Sequence, residues 1–141
     1  AVLANCDDDV RENLAMYGRN IGLAFQISDD VLDYTAESNE QIGKNIGDDL
    51  SGGKITLPFI YAFQNCAEEK KHILKNIIQN RKIEDFMILR DIIFETDSIR
   101  LTEHKAKEYV SLAKKNLKVV ENSEIGSLLN FLAEFSINRK R

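Results

Sequence analysis

The sequence predicts an all-α protein, and three observations carry that expectation. One proline and seven glycines leave little turn chemistry for a chain of 141 residues. No segment sustains the alternation of apolar and polar residues that marks a half-buried strand. Several segments instead repeat apolar residues every three to four positions, as an amphipathic helix requires.

Taken in order, the chain opens on Ala1-Val2-Leu3-Ala4, which lacks an initiator Met and reads as the last turn of a helix already under way. A fragment is the expectation. Asp7-Asp8-Asp9 supplies an N-cap and first-turn acids for a long helix to about Tyr34, with Val10, Leu14, Tyr17, Ile21 and Ala24 on one face. Gly18 and Gly22 lie inside it, each costing about 1 kcal/mol relative to Ala, which predicts a close neighbour, with packing favoured over a ligand. From Thr35 to Ile55 the periodicity vanishes, and Gly43, Gly47, Gly52 and Gly53 punctuate a polar loop. Loops too long to be mere connectors are often functional.

Thr56 reads as an N-cap with Pro58 in the first turn, opening a short helix through about Asn65. Two amphipathic helices follow, about Glu68 to Gln79 and about Lys82 to Phe94, with stripes of core type. A long helix capped near Ser98 carries Ala106, Tyr109, Val110, Ala113, Leu117 and Val120, and Ser123 caps a last one with Leu128, Leu129, Leu132 and Phe135. The tail Asn138-Arg139-Lys140-Arg141 is basic and expected to be mobile.

Composition narrows the function. With 43% hydrophobic residues the chain can build one domain with a real core, residues 1–141. A net charge of -4 gives no nucleic-acid footprint, and Lys70-Lys71 and Lys114-Lys115 read as solvated helix faces. Cys6 and Cys66 form no CxxC pair, so reduced thiols and a cytoplasmic location are expected. His72 and His104 stand outside any HExxH-type spacing and read as surface positions. No apolar run approaches a transmembrane length.

The chemistry concentrates in Phe25-Gln26-Ile27-Ser28-Asp29-Asp30-Val31-Leu32-Asp33. On a helix turning about 100° per residue, Arg19, Gly22, Gln26, Asp29, Asp30 and Asp33 share one stripe. The other faces are apolar, so the helix is expected inside a bundle with its acidic stripe lining a cavity. The three carboxylates repel one another near a helix C-terminal end, where the macrodipole also disfavours anions. A cation should compensate, and hard oxygen ligands without nearby His or Cys suit Mg²⁺ better than zinc.

The bland alternative is a solvated, cap-like acidic cluster. Two other motifs fail on spacing. A P-loop aligned on Gly47 wants Lys where Gly53 stands; aligned on Gly53-Lys54 it wants Gly at Asp48 and Ser or Thr at Ile55. An EF-hand loop needs alternating acids and a central Gly, which Asp29, Asp30 and Asp33 do not provide. The acids instead belong to a continuous pattern: FQxxDDxLD, then Gly43-Lys44, Gly47-Asp48-Asp49, and Gly53-Lys54-Ile55-Thr56-Leu57-Pro58.

That pattern closely resembles the second aspartate-rich motif, and the loop after it, of the trans-isoprenyl (polyprenyl) diphosphate synthases, nearest to the octaprenyl and other long-chain members. The resemblance is strong over most of residues 7 to 60 and only in pattern beyond. It implies the C-terminal portion of an all-α isoprenoid-synthase helical bundle, Mg²⁺ as cofactor, and an allylic prenyl diphosphate and isopentenyl diphosphate as substrates. It also implies a homodimer. By the same resemblance Asp29 ligates Mg²⁺, Asp30 and Asp33 lie in the metal or water shell, and Lys44 and Lys54 contact diphosphate oxygens. Phe25 and Gln26 line the allylic site, Asp48 holds a metal-bound water, and Arg139-Lys140-Arg141 resembles the family's basic C-terminus. The family's first aspartate-rich motif lies upstream of the second, and nothing in this chain matches it. Residues 1–141 alone are therefore expected to bind Mg²⁺ and diphosphate weakly and not to turn over. A non-catalytic regulatory subunit is the alternative, and a terpene cyclase or squalene-type synthase on the same fold a third reading that the GKxTLP continuation disfavours.

Overall fold

The computed structural model describes residues 1–36 and 47–138. Among these the secondary structure is helical: α1 (Asp8–Thr35), α2 (Asp48–Ser51), α3 (Leu57–Asn65), α4 (Glu68–Asn80), α5 (Phe86–Glu95), α6 (Ser98–Asn116) and α7 (Glu124–Phe135). Short 3₁₀ turns precede α5 at Ile83–Asp85 and follow α6 at Leu117–Val120. The residues group into two compact units, one of Ala1–Gln26 with His104–Arg141 and one of Ile27–Glu103. Among the described residues no helix is long and apolar enough to cross a membrane.

In the first unit the helix start is set by Asp7, whose carboxylate accepts the Val10 N–H at 2.9 Å, as an N-cap should. Ala1–Cys6 carries the hydrogen bonds of a helix end: Cys6 N–H to the Ala1 carbonyl (3.2 Å) and Asn5 N–H to the Val2 carbonyl (3.0 Å), with Asn5 left-handed at φ 49. The core is built from residues at helical spacing, Tyr17 and Ala24 against Val110, Ala113, Leu117 and Ala133. Its alanines let backbones come close, and the polar groups among them are paired. Tyr17 donates to the Leu129 carbonyl at 2.7 Å, and Asn20 donates to the Asn116 side chain at 3.2 Å. Ser123 caps α7 as the sequence indicates, its Oγ accepting from the Gly126 N–H at 2.9 Å. Gly126 has no substitute here, since a Cβ would stand 2.0 Å from the Val120 carbonyl oxygen.

In the second unit Tyr34, Leu50, Phe59, Ala62, Leu74, Ile77, Phe86, Leu89, Ile92 and Ile93 form one apolar core. Cys66 is buried in it as a free thiol, while His72 and His104 are exposed.

Five expectations need correction. The segment from Lys82 to Phe94 is not one helix: its first turn is 3₁₀, following a reversal at Arg81 (φ 54) that ends α4. The long helix stops at Asn116, and Leu117 and Val120 reach the core from a 3₁₀ turn whose three-residue repeat puts both on one side. The polar loop contains the extra turn α2, pinned to the core by Leu50, which is 1% exposed. Gly18 and Gly22 meet no close neighbour, since a Cβ at either would find nothing within 4 Å. Nor is α1 apolar all round in a buried setting, as Met16, Leu23 and Phe25 are exposed. The loop residues 37–46, with Gly43 and Lys44, and the terminal Arg139, Lys140 and Arg141 lie outside the described residues.

Candidate functional site

The aspartate stripe enters the second unit along the last turns of α1. Asp29 and Asp30 are half-buried, and Asp33, one turn on, is wholly buried with both carboxylate oxygens out of solvent. Asp33 shares the stripe with Asp29 and Asp30, so the difference lies along the helix and not around it: in the last turn Val31, Asp33 and Tyr34, on different faces, are all buried. Among the described residues no three carboxylate, thiol or imidazole groups converge as a metal cage. Successive acids on one straight helix point outward from its axis about 5–6 Å apart, so they do not close on a single point by themselves.

Opposite the stripe's end in sequence, α2 is a single turn closed by glycines. Gly47 starts it in the left-handed region (φ 84), where a Cβ would stand 2.5 Å from Ile83 Cδ1 and 3.1 Å from the Phe86 ring. Gly52 and Gly53 end it, donating to the carbonyls of Asp48 and Leu50 at 2.9 Å each, and Gly53 is again left-handed (φ 67). A side chain at Gly53 would also collide with the Arg81 guanidinium, whose Cζ lies 2.4 Å from the Cβ position. This turn carries Lys54 back over α2. Its backbone N–H donates to the Asp49 carbonyl at 2.8 Å, and its Nζ donates to Asp49 Oδ1, also at 2.8 Å.

Tyr34 links the two parts. Its ring stacks on Phe86 with centroids 5.8 Å apart, and its hydroxyl is 3.2 Å from Thr56 Oγ1. Burial pushes the phenol up to about 12; the hydrogen bond with Thr56 works against this, while the charges of Asp33, Asp49 and Asp30 add to it. Thr56 occupies the N-cap position expected of it, yet its side chain makes no cap hydrogen bond and is turned to Tyr34 instead.

The structure thus places the site residues unevenly. Asp29, Asp30, Asp33, Asp48 and Lys54 fall in one compact unit, with Asp48 half-buried and Lys54 exposed. Phe25 and Gln26 are exposed residues of the other unit, and Lys44 is outside the described residues. Sequence reasoning missed the role of Asp49, which is 2% exposed and holds Lys54, and it missed Tyr34; Thr56 it read as a helix cap without its bond to Tyr34. The signal for Asp49 was the Asp48-Asp49 pair followed five residues later by Lys54; only the glycine turn shows that the second acid, not the first, meets the lysine. Nothing in the sequence singled out Tyr34.

Asp29 and Asp30 offer hard oxygen donors of the kind Mg²⁺ takes, and that ion is usually held by one or two carboxylates with phosphate oxygens completing the shell. The donor set fits Mg²⁺ on those terms. A wholly buried Asp33 suits a supporting position better than a directly exposed ligand.

Solved structures give the class of protein. The polyprenyl synthase of Caulobacter crescentus CB15, complexed with calcium and isoprenyl diphosphate, matches with a TM-score of 0.91 at 34% identity, over 100% of this chain and 43% of that one. The heptaprenyl diphosphate synthase of Staphylococcus aureus matches with a TM-score of 0.85 at 29% identity, over 100% and 44%. The fold is therefore the all-α isoprenoid-synthase fold that the sequence led us to expect. The sequence pattern of the Polyprenyl synthetase family matches residues 1–93, and the chain belongs to that family. Among its relatives, the octaprenyl diphosphate synthase of Escherichia coli (strain K12) is 33% identical over 99% of this chain and 43% of its own length. Solanesyl-diphosphate synthase 2, chloroplastic, of Oryza sativa subsp. japonica is 35% identical over 99% and 34%. The chain spans less than half the length of the relatives it matches.

Proposed function

We propose that this chain carries one side of a magnesium–diphosphate site in a trans-prenyltransferase, which extends an allylic prenyl diphosphate with isopentenyl diphosphate. The observation that carries the reading is the aspartate stripe in the same compact unit as an ammonium presented on a glycine turn. The names of its relatives support it: octaprenyl and solanesyl diphosphate synthases, and a structural neighbour holding calcium and isoprenyl diphosphate.

Diphosphate is an anion that leaves only when its charge is neutralised. Mg²⁺, when bound, would supply most of that neutralisation. Asp29 and Asp30 would hold the ion at the half-exposed end of the stripe, and Asp33 would support them from inside. Lys54 contributes a point charge to the diphosphate oxygens, and Lys44 does the same on the resemblance. As the diphosphate leaves, the allylic carbon becomes cationic, the isopentenyl double bond adds to it, and a proton departs. Apolar walls then keep water from the cation. Homodimerisation, implied by the resemblance, belongs to the same proposal.

The test joins this chain to the preceding part of the E. coli octaprenyl diphosphate synthase and follows incorporation of isopentenyl diphosphate. Asp29→Ala should lower the rate about a hundredfold or more, the scale expected when a metal contact to the leaving group is lost. An unchanged rate in that variant overturns the assignment of Asp29.

A further inference from the structure

Arg81 ends α4 in the left-handed region (φ 54, ψ 31), its N–H donating to the Ile77 carbonyl at 2.8 Å. Helices place glycine at such an end by preference, because a side chain crowds its own backbone there. Among the described residues the other non-glycine positions with positive φ are Asn5 and Asp97, whose short polar side chains tolerate it. An arginine has no such ease, and strained backbone is kept where surrounding structure or function requires the residue. The Arg81 side chain reaches Gly53, where a Cβ would lie 2.4 Å from the guanidinium Cζ, 2.5 Å from Nε and 2.8 Å from Nη1. Cζ is the nearest of the three, so the face of the guanidinium covers the glycine and its N–H edge is turned away from it. Both residues belong to the compact unit that carries Asp29, Asp30 and Asp33.

We infer that Arg81 is a further diphosphate-binding residue, the edge of its guanidinium taking phosphate oxygens brought to the glycine turn. This rests on the reading of the aspartate stripe and that turn as a magnesium–diphosphate site. Charge supports it. The turn brings two carboxylates, Asp48 and Asp49, and one ammonium, Lys54, so by itself it is not a cationic surface. Arg81 supplies positive charge at the point where an anion needs it. Its chemistry fits as well, since a planar guanidinium offers paired N–H donors that match phosphate oxygens two at a time. Among the described residues no carboxylate pairs with it, whereas Arg11 and Arg100 are each held by an aspartate. The plain alternative is an exposed arginine that only shields the glycine turn from water.

Contact and shielding predict different outcomes. The experiment is a phosphorus-NMR titration of the 141-residue chain with inorganic pyrophosphate at fixed Mg²⁺, for wild type, Arg81→Gly and Lys82→Ala, with a urea midpoint for each. Lys82 is the control, an exposed cation next in the chain. Glycine suits a left-handed helix end, so Arg81→Gly should leave the urea midpoint equal or higher. The same variant should weaken pyrophosphate binding about tenfold, the scale of one lost charge-assisted contact. Lys82→Ala should bind as wild type does, because the effect is a contact and not the general charge of the surface. Wild-type affinity in Arg81→Gly overturns the inference, and so does an equal loss in Lys82→Ala. A loss in Arg81→Gly that comes with a lowered midpoint also overturns it, since the arginine then acts by holding the turn. If Arg81→Gly does not fold, Arg81→Gln, neutral and with a shorter side chain, takes its place, and unaltered affinity there overturns the inference too. Wild-type chain that binds no pyrophosphate at all overturns the proposed function and this inference with it, whereas wild-type binding that Arg81→Gly leaves intact overturns this inference alone.

Discussion

Tyr34 shows how closely a core residue and the acidic stripe are tied. Its ring belongs to the apolar core on Phe86, while its hydroxyl meets Thr56 among the charges of Asp33, Asp49 and Asp30. Ionising the phenol there is doubly unfavourable, through burial and through like charge. The folded phenol titrates near 12 against an ordinary 10.0. The stability this gives is fully present below pH 10 and is lost as pH rises through the window from 10 to 12, amounting to about 2–3 kcal/mol across it. Urea unfolding followed from pH 9 to 12 should therefore show wild type losing stability relative to Tyr34→Phe; parallel profiles would refute the placement. The residue scale is also where the sequence was hardest to read. Asp48 and Asp49 are indistinguishable as letters in a run, and only a left-handed Gly53 turns Lys54 onto the second of them. Gly18 and Gly22 misled in the opposite direction, since a glycine in a helix suggests a close neighbour and both face open space.

At the scale of elements, the long amphipathic helices were legible because each repeats apolar residues over many turns, whereas α2 and the 3₁₀ turns are too short to show a period. The caps at Asp7 and Ser123 were legible for a local reason, the reach of a short polar side chain to N–H groups of the first turn. The cap at Thr56 was placed correctly but its side chain was claimed by Tyr34, a partner 22 residues away that no local rule could name. The join between the 3₁₀ turn Leu117–Val120 and α7 depends on Gly126 lying flat against the Val120 carbonyl. Gly126→Ala should lower stability by about 1–3 kcal/mol, the range for forcing a methyl into a filled space, because backbone rather than a flexible side chain must move. A denaturant midpoint equal to wild type would show that this contact can relax. Pyrophosphate binding by that variant should be unchanged, since Gly126 and the aspartate stripe belong to different units.

At the scale of the molecule, the family was legible because its motif is continuous in sequence: acids one helical turn apart, then lysines on a glycine-punctuated loop. What was not legible is how those residues share the work, because that depends on burial. Asp33 and Asp49 look like solvent-facing acids and are interior, while Lys54 remains open to water. A chain covering 43% of the octaprenyl relative, with its acids on one helix and no cage among the described residues, should hold Mg²⁺ only together with phosphate oxygens. The most direct measurement is calorimetric titration of the 141-residue chain with pyrophosphate at fixed Mg²⁺ and after chelation. Weak binding, on the order of 1 mM, that is lost on chelation and in Asp29→Ala is the expected result. Binding of equal strength without Mg²⁺, or undiminished in Asp29→Ala, would contradict the claim that this aspartate stripe gathers the metal for a diphosphate.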